Sequence, residues 1–247
     1  MINIVNKRSH VMNDHTFYIG RGSPLGNIYY FKESSHAQAK FKVNSVETAI
    51  IKYKEYLNSE IACGNPQICD AINELIIKKL RNEEIDLLCY CFPLPCHGNI
   101  IKDKVENSKY CINWFSNMKK MDKPILYQNI NYWAVENFYQ AMKVDKKNVI
   151  LRQQIARMNP FKAKAFSRNI ELRKDWNEIK LPAMEYALKN KFNKDTAWGQ
   201  KLIKYKGKIY EYNNWGDKFW GIDIFTMSGE NNLGKILDKI QKTIIIG

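Results

Sequence analysis

The order of apolar and polar residues divides the chain into two parts of different character. In residues 1–110, helical stripes of apolar residues alternate with short apolar runs. One helix is predicted to start at Asn44, with Glu47 completing a capping box, and a second follows Pro66. The run at 85–92 is largely apolar, as in a buried parallel strand. This part is predicted to form a small α/β domain.

Residues 111–247 are predicted to be mostly helical. Pro182 suits the first turn of a helix that would turn Met184 inward. A short strand is predicted at 207–213, and an apolar stripe at helical spacing defines a last helix around 233–240. The sequence contains no internal repeat or long linker. The predicted fold class is therefore α+β, with the domain boundary between residues 110 and 111.

The segment "YWAVENFYQAMK" carries a polar line beside its apolar stripe. Glu136, Gln140 and Lys143 are spaced i, i+4 and i+7, so a helix places a carboxylate, an amide and an amine along one side. A solvated helix edge would show the same pattern. The alternative is one wall of an active site.

The positive charge is concentrated in the second part of the chain. Of 247 residues, Lys and Arg exceed Asp and Glu by 14. Residues 1–110 hold 14 basic and 12 acidic residues, whereas residues 111–247 hold 25 and 13. Such a field attracts polyanions, nucleic acid above all, although lysine-rich coding would also raise the charge.

The composition also indicates in which cellular compartment the protein is expected. No apolar run approaches the roughly 20 residues of a spanning helix, and the N-terminus lacks the apolar run of a signal peptide. Six cysteines without such a leader favour a reducing compartment. We therefore expect a soluble cytoplasmic protein that does not bind membranes.

Two motifs in the first part combine residues typical of binding sites. "GRGSPLGN" follows a predicted strand and offers Arg21, Gly22 and Asn27 for a phosphate or nucleotide, although a structural turn explains it equally well. "CYCFPLPCHGN" holds four candidate metal ligands: Cys89, Cys91, Cys96 and His97. Their spacing differs from that of common zinc sites, so the sequence favours a ligand crevice at a strand end and no metal.

In the second part, "NNWGDKFWG" places Asp217 between Trp215 and Trp220, and Trp176 follows Asp175. Indoles stack on heterocycles, and a carboxylate stabilises positive charge at a breaking glycosidic bond. The alternative is a buried tryptophan beside an aspartate that caps a turn.

Six ordered motifs resemble those of the NADAR, or YbiA-like, family: "FSNM", "VENFYQAMK", "LRKDW", "MEYALKNKF", "DKFWG" and "GENNLGKIL". The resemblance covers residues 113–243 and implies a mostly helical fold that hydrolyses N-glycosidic bonds without a cofactor. It implies two substrate classes, namely ribosylamino-pyrimidine phosphates of riboflavin biosynthesis and ADP-ribose attached to guanine in nucleic acid. Residues 16–100 resemble a domain of unknown function that often accompanies NADAR.

The resemblance also assigns residues. Glu136, Trp176, Asp217 and Trp220 match the active-site acids and tryptophans of the family, and Lys143 matches a lysine proposed to form a Schiff base with ribose. The same motifs make Asn117, Gly221 and Asn232 candidate substrate-binding residues. The loop "SNMKKMDKP" departs from the family pattern.

These observations predict removal of ADP-ribose from guanine in DNA or RNA. Such a reaction would reverse the modification made by an ADP-ribosyltransferase toxin, as an antitoxin does. Glu136 and Asp217 would meet around the sugar, and Lys143 would either attack the ribose or pair with a phosphate. Hydrolysis of riboflavin intermediates is the first alternative. A non-catalytic reader of ADP-ribose or NAD-derived nucleotides is the second.

Overall fold

The computed structural model describes residues 1–32 and 38–246. Within these residues the strands, in chain order, are β1 (Ile2–Asn6), β2 (Thr16–Tyr18), β3 (Tyr29–Tyr30), β4 (Phe41–Lys42), β5 (Ile85–Cys89), β6 (Ile125–Tyr127), β7 (Ile130–Tyr132), β8 (Tyr212–Asn213) and β9 (Ile222–Asp223).

The helices of the same described residues complete the mixed architecture. They are α1 (Val46–Cys63), α2 (Pro66–Leu80), α3 (His97–Glu106), α4 (Val135–Met142), α5 (Val149–Arg157), α6 (Pro160–Phe166), α7 (Trp176–Lys191), α8 (Ala197–Lys204) and α9 (Asn232–Ile246). The predicted class is confirmed, with small sheets and three helices in the first part and a mostly helical second part.

The chain forms two compact units. The first comprises Met1–Trp114, Tyr212–Asp217 and Ile222–Ser228, and the second comprises Phe115–Glu211, Lys218–Gly221 and Gly229–Gly247. Two short segments from the C-terminal part therefore belong to the first unit. The domain boundary between residues 110 and 111 stays a prediction.

A three-stranded parallel sheet organises the first unit. Its order is β1-β5-β2, so β5 is the central strand, which explains why four of the five residues of "IDLLC" are apolar and buried. Helices α1, α2 and α3 pack around this core. The predicted strand at 85–92 is confirmed but ends at Cys89.

The first helix starts one residue later than predicted. Ser45, in an extended conformation, is the N-cap of α1, and its Oγ accepts a hydrogen bond of 3.1 Å from the N–H of Thr48. The prediction that Asn44 caps this helix is wrong, because the hydroxyl of Ser45 satisfies an N–H of the first turn. The predicted helix after Pro66 is confirmed, with Pro66 in its first turn.

Helix α4 lies at the centre of the second unit and packs against α5, α6 and α7. It follows the hairpin of β6 and β7, whose connecting residues Gln128 and Asn129 both have positive φ, as a two-residue turn requires. The buried guanidinium of Arg152 donates to Gln128 Oε1 and to the Val144 carbonyl, each at 2.7 Å. This arginine ties the turn to the segment that follows α4.

Helix α7 begins six residues before Pro182, so the prediction that Pro182 marks a first turn is wrong. The buried residues of α7 form one continuous stripe at helical spacing that starts at Trp176 and ends at Lys191. Burial of this stripe extends the helix through the proline. The strand predicted at 207–213 shrinks to Tyr212–Asn213.

No helix within the described residues is both long and apolar enough to cross a bilayer.

Candidate active site

The polar line on α4 is buried. Glu136 and Gln140 are only 6% and 3% exposed, and Gln140 Nε2 donates to Glu136 Oε1 at 2.7 Å. A solvated helix edge is therefore the wrong interpretation of this pattern. A buried carboxylate without a hydrogen-bond partner destabilises the folded state by several kcal/mol. The bond from Gln140 therefore both stabilises Glu136 and fixes its position.

The start of α4 is fixed by the "FSNM" segment. Ala134, its N-cap, provides no side-chain cap, and the N–H of Glu136 instead donates to the Asn117 carbonyl at 3.1 Å. Within the described residues, the side-chain oxygens of Asn117 and Gln140 are buried and accept no hydrogen bond. Buried acceptors of this kind are commonly satisfied by water or a ligand. Asn117 lies in the segment that fixes the start of α4, and Gln140 lies on α4 itself, so both acceptors belong to the elements that hold Glu136.

Lys143 ends α4 and is half-buried. Burial lowers the pKa of its amine, the charge of Glu136 raises it, and Lys164 lowers it further. Across residues 1–32 and 38–246, no carboxylate lies within ion-pair distance of this amine. A desolvated lysine with a lowered pKa is the type of amine that acts as a nucleophile.

A backbone hydrogen bond made by the neighbouring Arg173 brings Trp176 close to Lys143. The N–H of Arg173 donates to the Lys143 carbonyl at 2.8 Å, and Arg173 also pairs with Asp175. The "LRKDW" motif is thus attached to the end of α4. As a result, Lys143 Nζ lies 6.0 Å from the centroid of the Trp176 ring.

Tyr139 contacts both tryptophans of the predicted site, Trp176 and Trp220. Its ring centroid is 5.1 Å from that of Trp176 and 5.5 Å from that of Trp220, and Lys143 Nζ is 5.7 Å from it. In the sequence, Tyr139 belongs to the apolar stripe of "YWAVENFYQAMK", at i+4 from Val135. Its spacing from the polar line, i+3 from Glu136 and i−4 from Lys143, was the signal that could have identified it.

Trp220 lies in a turn that is bonded to the start of α9. The carbonyls of Lys218, Phe219 and Trp220 accept from the N–H groups of Glu230, Asn232 and Leu233. The side chain of Asn232 donates to Phe219 O at 2.9 Å and to Glu230 at 2.8 Å. Residues 218–221 and the start of α9 are therefore one structural feature, and the amide of Asn232 maintains it.

Gly221 closes the same turn by close packing. A Cβ at this position would lie 2.0 Å from the Glu211 carbonyl oxygen, so no larger residue fits without backbone movement. The contacts of Gly221 and Asn232 in the chain are structural, and their predicted contact with substrate stays a prediction.

Asp217 belongs to the first unit, whereas Glu136, Lys143, Trp176 and Trp220 belong to the second. The side chain of Asn213 accepts from the N–H of Asp217 at 2.9 Å and donates to its carbonyl at 2.7 Å. These bonds fix the loop that carries the carboxylate. The predicted meeting of Asp217 with Glu136 stays a prediction.

Comparison with known proteins identifies the second part of the chain. The NADAR domain matches residues 102–245, more than half of the chain. The chain belongs to the NADAR family. Residues 2–107 of this NADAR protein match a domain of unknown function, DUF4326. Both predicted resemblances are thereby confirmed.

Two curated relatives have informative names. This NADAR protein is 34% identical over 118 residues to an N-glycosidase from Nostoc punctiforme, covering 46% of the chain and 75% of that protein. It is 29% identical over 113 residues to a riboflavin biosynthesis protein from Vibrio vulnificus, covering 44% of the chain and 30% of that protein. Among solved structures, the E. coli protein YbiA is 28% identical, with a TM-score of 0.45, covering 53% of the chain and 77% of YbiA.

The predicted phosphate loop of the NADAR protein is a tightly bonded turn. The N–H groups of Ser23 and Gly26 donate within the loop, to Gly20 and Ser23. Asn27 donates to Ala49 O and accepts from the N–H of Tyr29. These groups are used inside the fold, and Arg21 and Gly22 remain exposed. Their role in binding a ligand stays a prediction.

The cysteine motif at the end of β5 forms a thiol cluster. Cys89 Sγ and Cys96 Sγ are 3.6 Å apart, and bonds from neighbouring thiols lower the pKa of Cys89 and raise that of Cys96. His97 is turned away, with Nε2 2.7 Å from the Ile19 carbonyl. In the described part of the chain, no group of three or more His, Cys, Asp or Glu residues could hold a metal ion.

Proposed function

We propose that this protein hydrolyses N-glycosidic bonds and that its substrate is ADP-ribose attached to guanine in nucleic acid. The observation that carries the proposal is the arrangement on α4, where buried Glu136 is held by Gln140 and half-buried Lys143 lies beside an indole. Membership of the NADAR family and a relative named an N-glycosidase support the reaction class. The positive charge of residues 111–247 supports a polyanionic substrate.

Glu136 supplies the anion that this reaction needs. Cleavage of the bond between the anomeric carbon and the base develops positive charge on the sugar. A fixed, buried carboxylate stabilises that charge without reorganising at the moment of reaction. Asp217 is the second candidate acid, on a loop fixed by Asn213.

Lys143 supplies the nucleophile. Its neutral amine adds to C1 of the ring-opened ribose, the bond from C1 to the nitrogen of guanine breaks, and the base leaves with a proton. The resulting imine between Lys143 and C1 is hydrolysed by water, which frees ADP-ribose and restores the amine. Burial favours the neutral form of Lys143, because desolvation penalises the cation.

The rings of Tyr139, Trp176 and Trp220 would hold the flat part of the substrate. Aromatic side chains stack on nucleobases at about 1–3 kcal/mol per base, regardless of base identity. This tolerance suits an enzyme that acts within nucleic acid of varied sequence.

Purified protein incubated with an oligonucleotide that carries ADP-ribose on guanine should release free ADP-ribose and restore unmodified guanine. Chromatography with mass spectrometry measures both products. An intact adduct at enzyme concentrations equal to substrate would refute this choice of substrate.

Hydrolysis of riboflavin intermediates is the second candidate, which the name of the Vibrio relative favours. The same protein incubated with ribosylamino-pyrimidine phosphates would then release ribose 5-phosphate. Comparing kcat/KM for the two substrates decides between the two candidates.

A further inference from the structure

An open cavity of about 780 Å³ lies on the second unit, and none of the predicted site residues lines it. The β6–β7 turn, the segment after β7, the first turn of α4 and the end of α5 form its walls. Its volume falls within the roughly 300–1,000 Å³ of small-molecule sites, enough for a nucleotide.

The cavity has a positive lining. Lys120 and Arg157 contribute cations, and among the described residues that line the cavity none is acidic. Several amides complete the wall: Asn129, Asn131, Asn137, Gln153 and Asn159. Amides and cations without carboxylates are the groups that bind phosphate and sugar oxygens.

Trp133 provides an aromatic surface in this cavity. It is 44% exposed, a large value for a tryptophan, and Lys120 Nζ lies 4.7 Å from the centroid of its ring. An exposed indole next to cations is the combination with which proteins bind single strands, because unpaired bases stack on the ring while cations contact the backbone.

The wall of the cavity is well ordered by internal bonds. Asn137 Nδ2 donates to the carbonyls of Ile155 and Met158, each at 2.8 Å, which fixes α4 against the end of α5. Asn137 directly follows Glu136 in the first turn of α4. The cavity and the candidate catalytic acid are therefore built from the same helix turn.

We propose that this cavity is a docking site for single-stranded nucleic acid, with one base stacked on Trp133 and the phosphates next to it bound by Lys120 and Arg157. A strand held there lies next to the helix turn that carries Glu136, so it would deliver a modified nucleotide to the candidate site. The choice of nucleic acid as partner rests on the proposed function, but the site does not require turnover.

The test measures binding of the full-length protein to an unmodified, fluorescently labelled single strand of about 12 nucleotides, a length within known site sizes. Fluorescence anisotropy gives the dissociation constant at several salt concentrations. Trp133→Leu removes the stacking surface and should weaken binding about tenfold, whereas Trp133→Phe keeps an aromatic face and should stay within about threefold of the native protein.

Lys120→Ala and Arg157→Ala test the charges. Each should weaken binding and reduce the slope of log K against log salt by about 0.7. Lys54→Ala is the matched control, because Lys54 is an exposed lysine on α1 in the first unit. Thermal unfolding midpoints check that each variant remains folded.

Native-like affinity of folded Trp133→Leu would overturn the proposal, and so would an effect of Lys54→Ala as large as that of Lys120→Ala. Release of ADP-ribose is measured separately on an oligonucleotide that carries ADP-ribose on guanine. Absence of release by the native protein would refute the proposed function and leave the binding result intact.

Discussion

The N–H of Arg173 donates a hydrogen bond of 2.8 Å to the carbonyl oxygen of Lys143. This bond joins two motifs that lie about 30 residues apart and puts the Trp176 ring next to the Lys143 amine. A buried carboxylate, a desolvated amine and an aromatic cluster are thereby gathered around one helix.

Lys143→Arg should lower kcat at least about 100-fold, because a guanidinium keeps the charge but cannot form an imine. If Lys143 instead pairs with a phosphate, the arginine variant should keep most activity, and Lys143→Met should chiefly raise KM. Steady-state kinetics on both variants separates the roles. Borohydride added during turnover should trap ADP-ribose on Lys143 of the native protein, and full activity of Lys143→Arg would contradict the nucleophilic role.

The rate should depend on pH through Lys143. Because burial lowers its pKa, kcat should rise with pH through that lowered pKa as the amine becomes neutral. Lys164 contributes to the lowering, so Lys164→Met should raise the pKa of Lys143 and move the rise in kcat to higher pH. An unchanged profile in this variant would contradict the assignment of the titration to Lys143.

Trp220→Leu should raise KM about tenfold, since it removes an aromatic face worth about 1–3 kcal/mol, whereas Trp220→Phe should retain most of the affinity. Trp198→Leu is the matched control, because that half-buried indole packs against Phe192 and Lys191 away from the aromatic cluster. Equal changes in KM for Trp220→Leu and Trp198→Leu would show that the effect is one of stability and not of binding.

Lys191 should make stability depend on pH. Burial lowers its pKa to about 7, although its amine donates to the carbonyls of Phe115 and Ser116. Between about pH 7 and the pKa that Lys191 has in the unfolded chain, the unfolded chain binds more protons than the folded protein. The free energy of unfolding therefore rises with pH in this range, by at most about 1.4 kcal/mol per pH unit. Below that range both states bind the proton and this dependence vanishes.

Chemical denaturation between pH 6 and 10 measures the contribution of Lys191. Lys191→Met should lack the rise and, because two carbonyls lose their donor, should be less stable than the native protein by about 1–3 kcal/mol near pH 10, where the native amine is neutral. Lys189→Met, on the exposed side of the same helix, is the control. The same pH slope in native protein and Lys191→Met would contradict the account.

Much of the fold follows from apolar periodicity. The central strand β5 was predicted because burial on both faces of a strand leaves a largely apolar run. The helix after Pro66 was predicted because burial on one side of a helix leaves an apolar stripe. The start of α7 was missed, because Pro182 is a strong local signal while the stripe from Trp176 to Lys191 becomes meaningful only when packed. Tertiary burial outweighed the local preference of proline.

The geometry of the candidate site was predictable where its residues lie on one helix. Glu136 and Lys143 share a side of α4 because of helical spacing, and their burial could not be distinguished from solvation until the packing of α5, α6 and α7 was known. Tyr139 cannot be assigned from the sequence, because a ring that packs against two indoles has the same helical spacing as a ring in a core. The bond from Arg173 to Lys143 depends on the path of the connection between α6 and α7, which no sequence pattern encodes.

The most direct test of the account compares native protein with Glu136→Gln on an oligonucleotide carrying ADP-ribose on guanine. The substitution keeps shape and removes the charge, so we predict release of ADP-ribose by the native protein and a loss of about 10²–10⁴ in kcat for Glu136→Gln, with substrate still bound. Equal turnover by the two proteins, or binding without turnover by both, would contradict it.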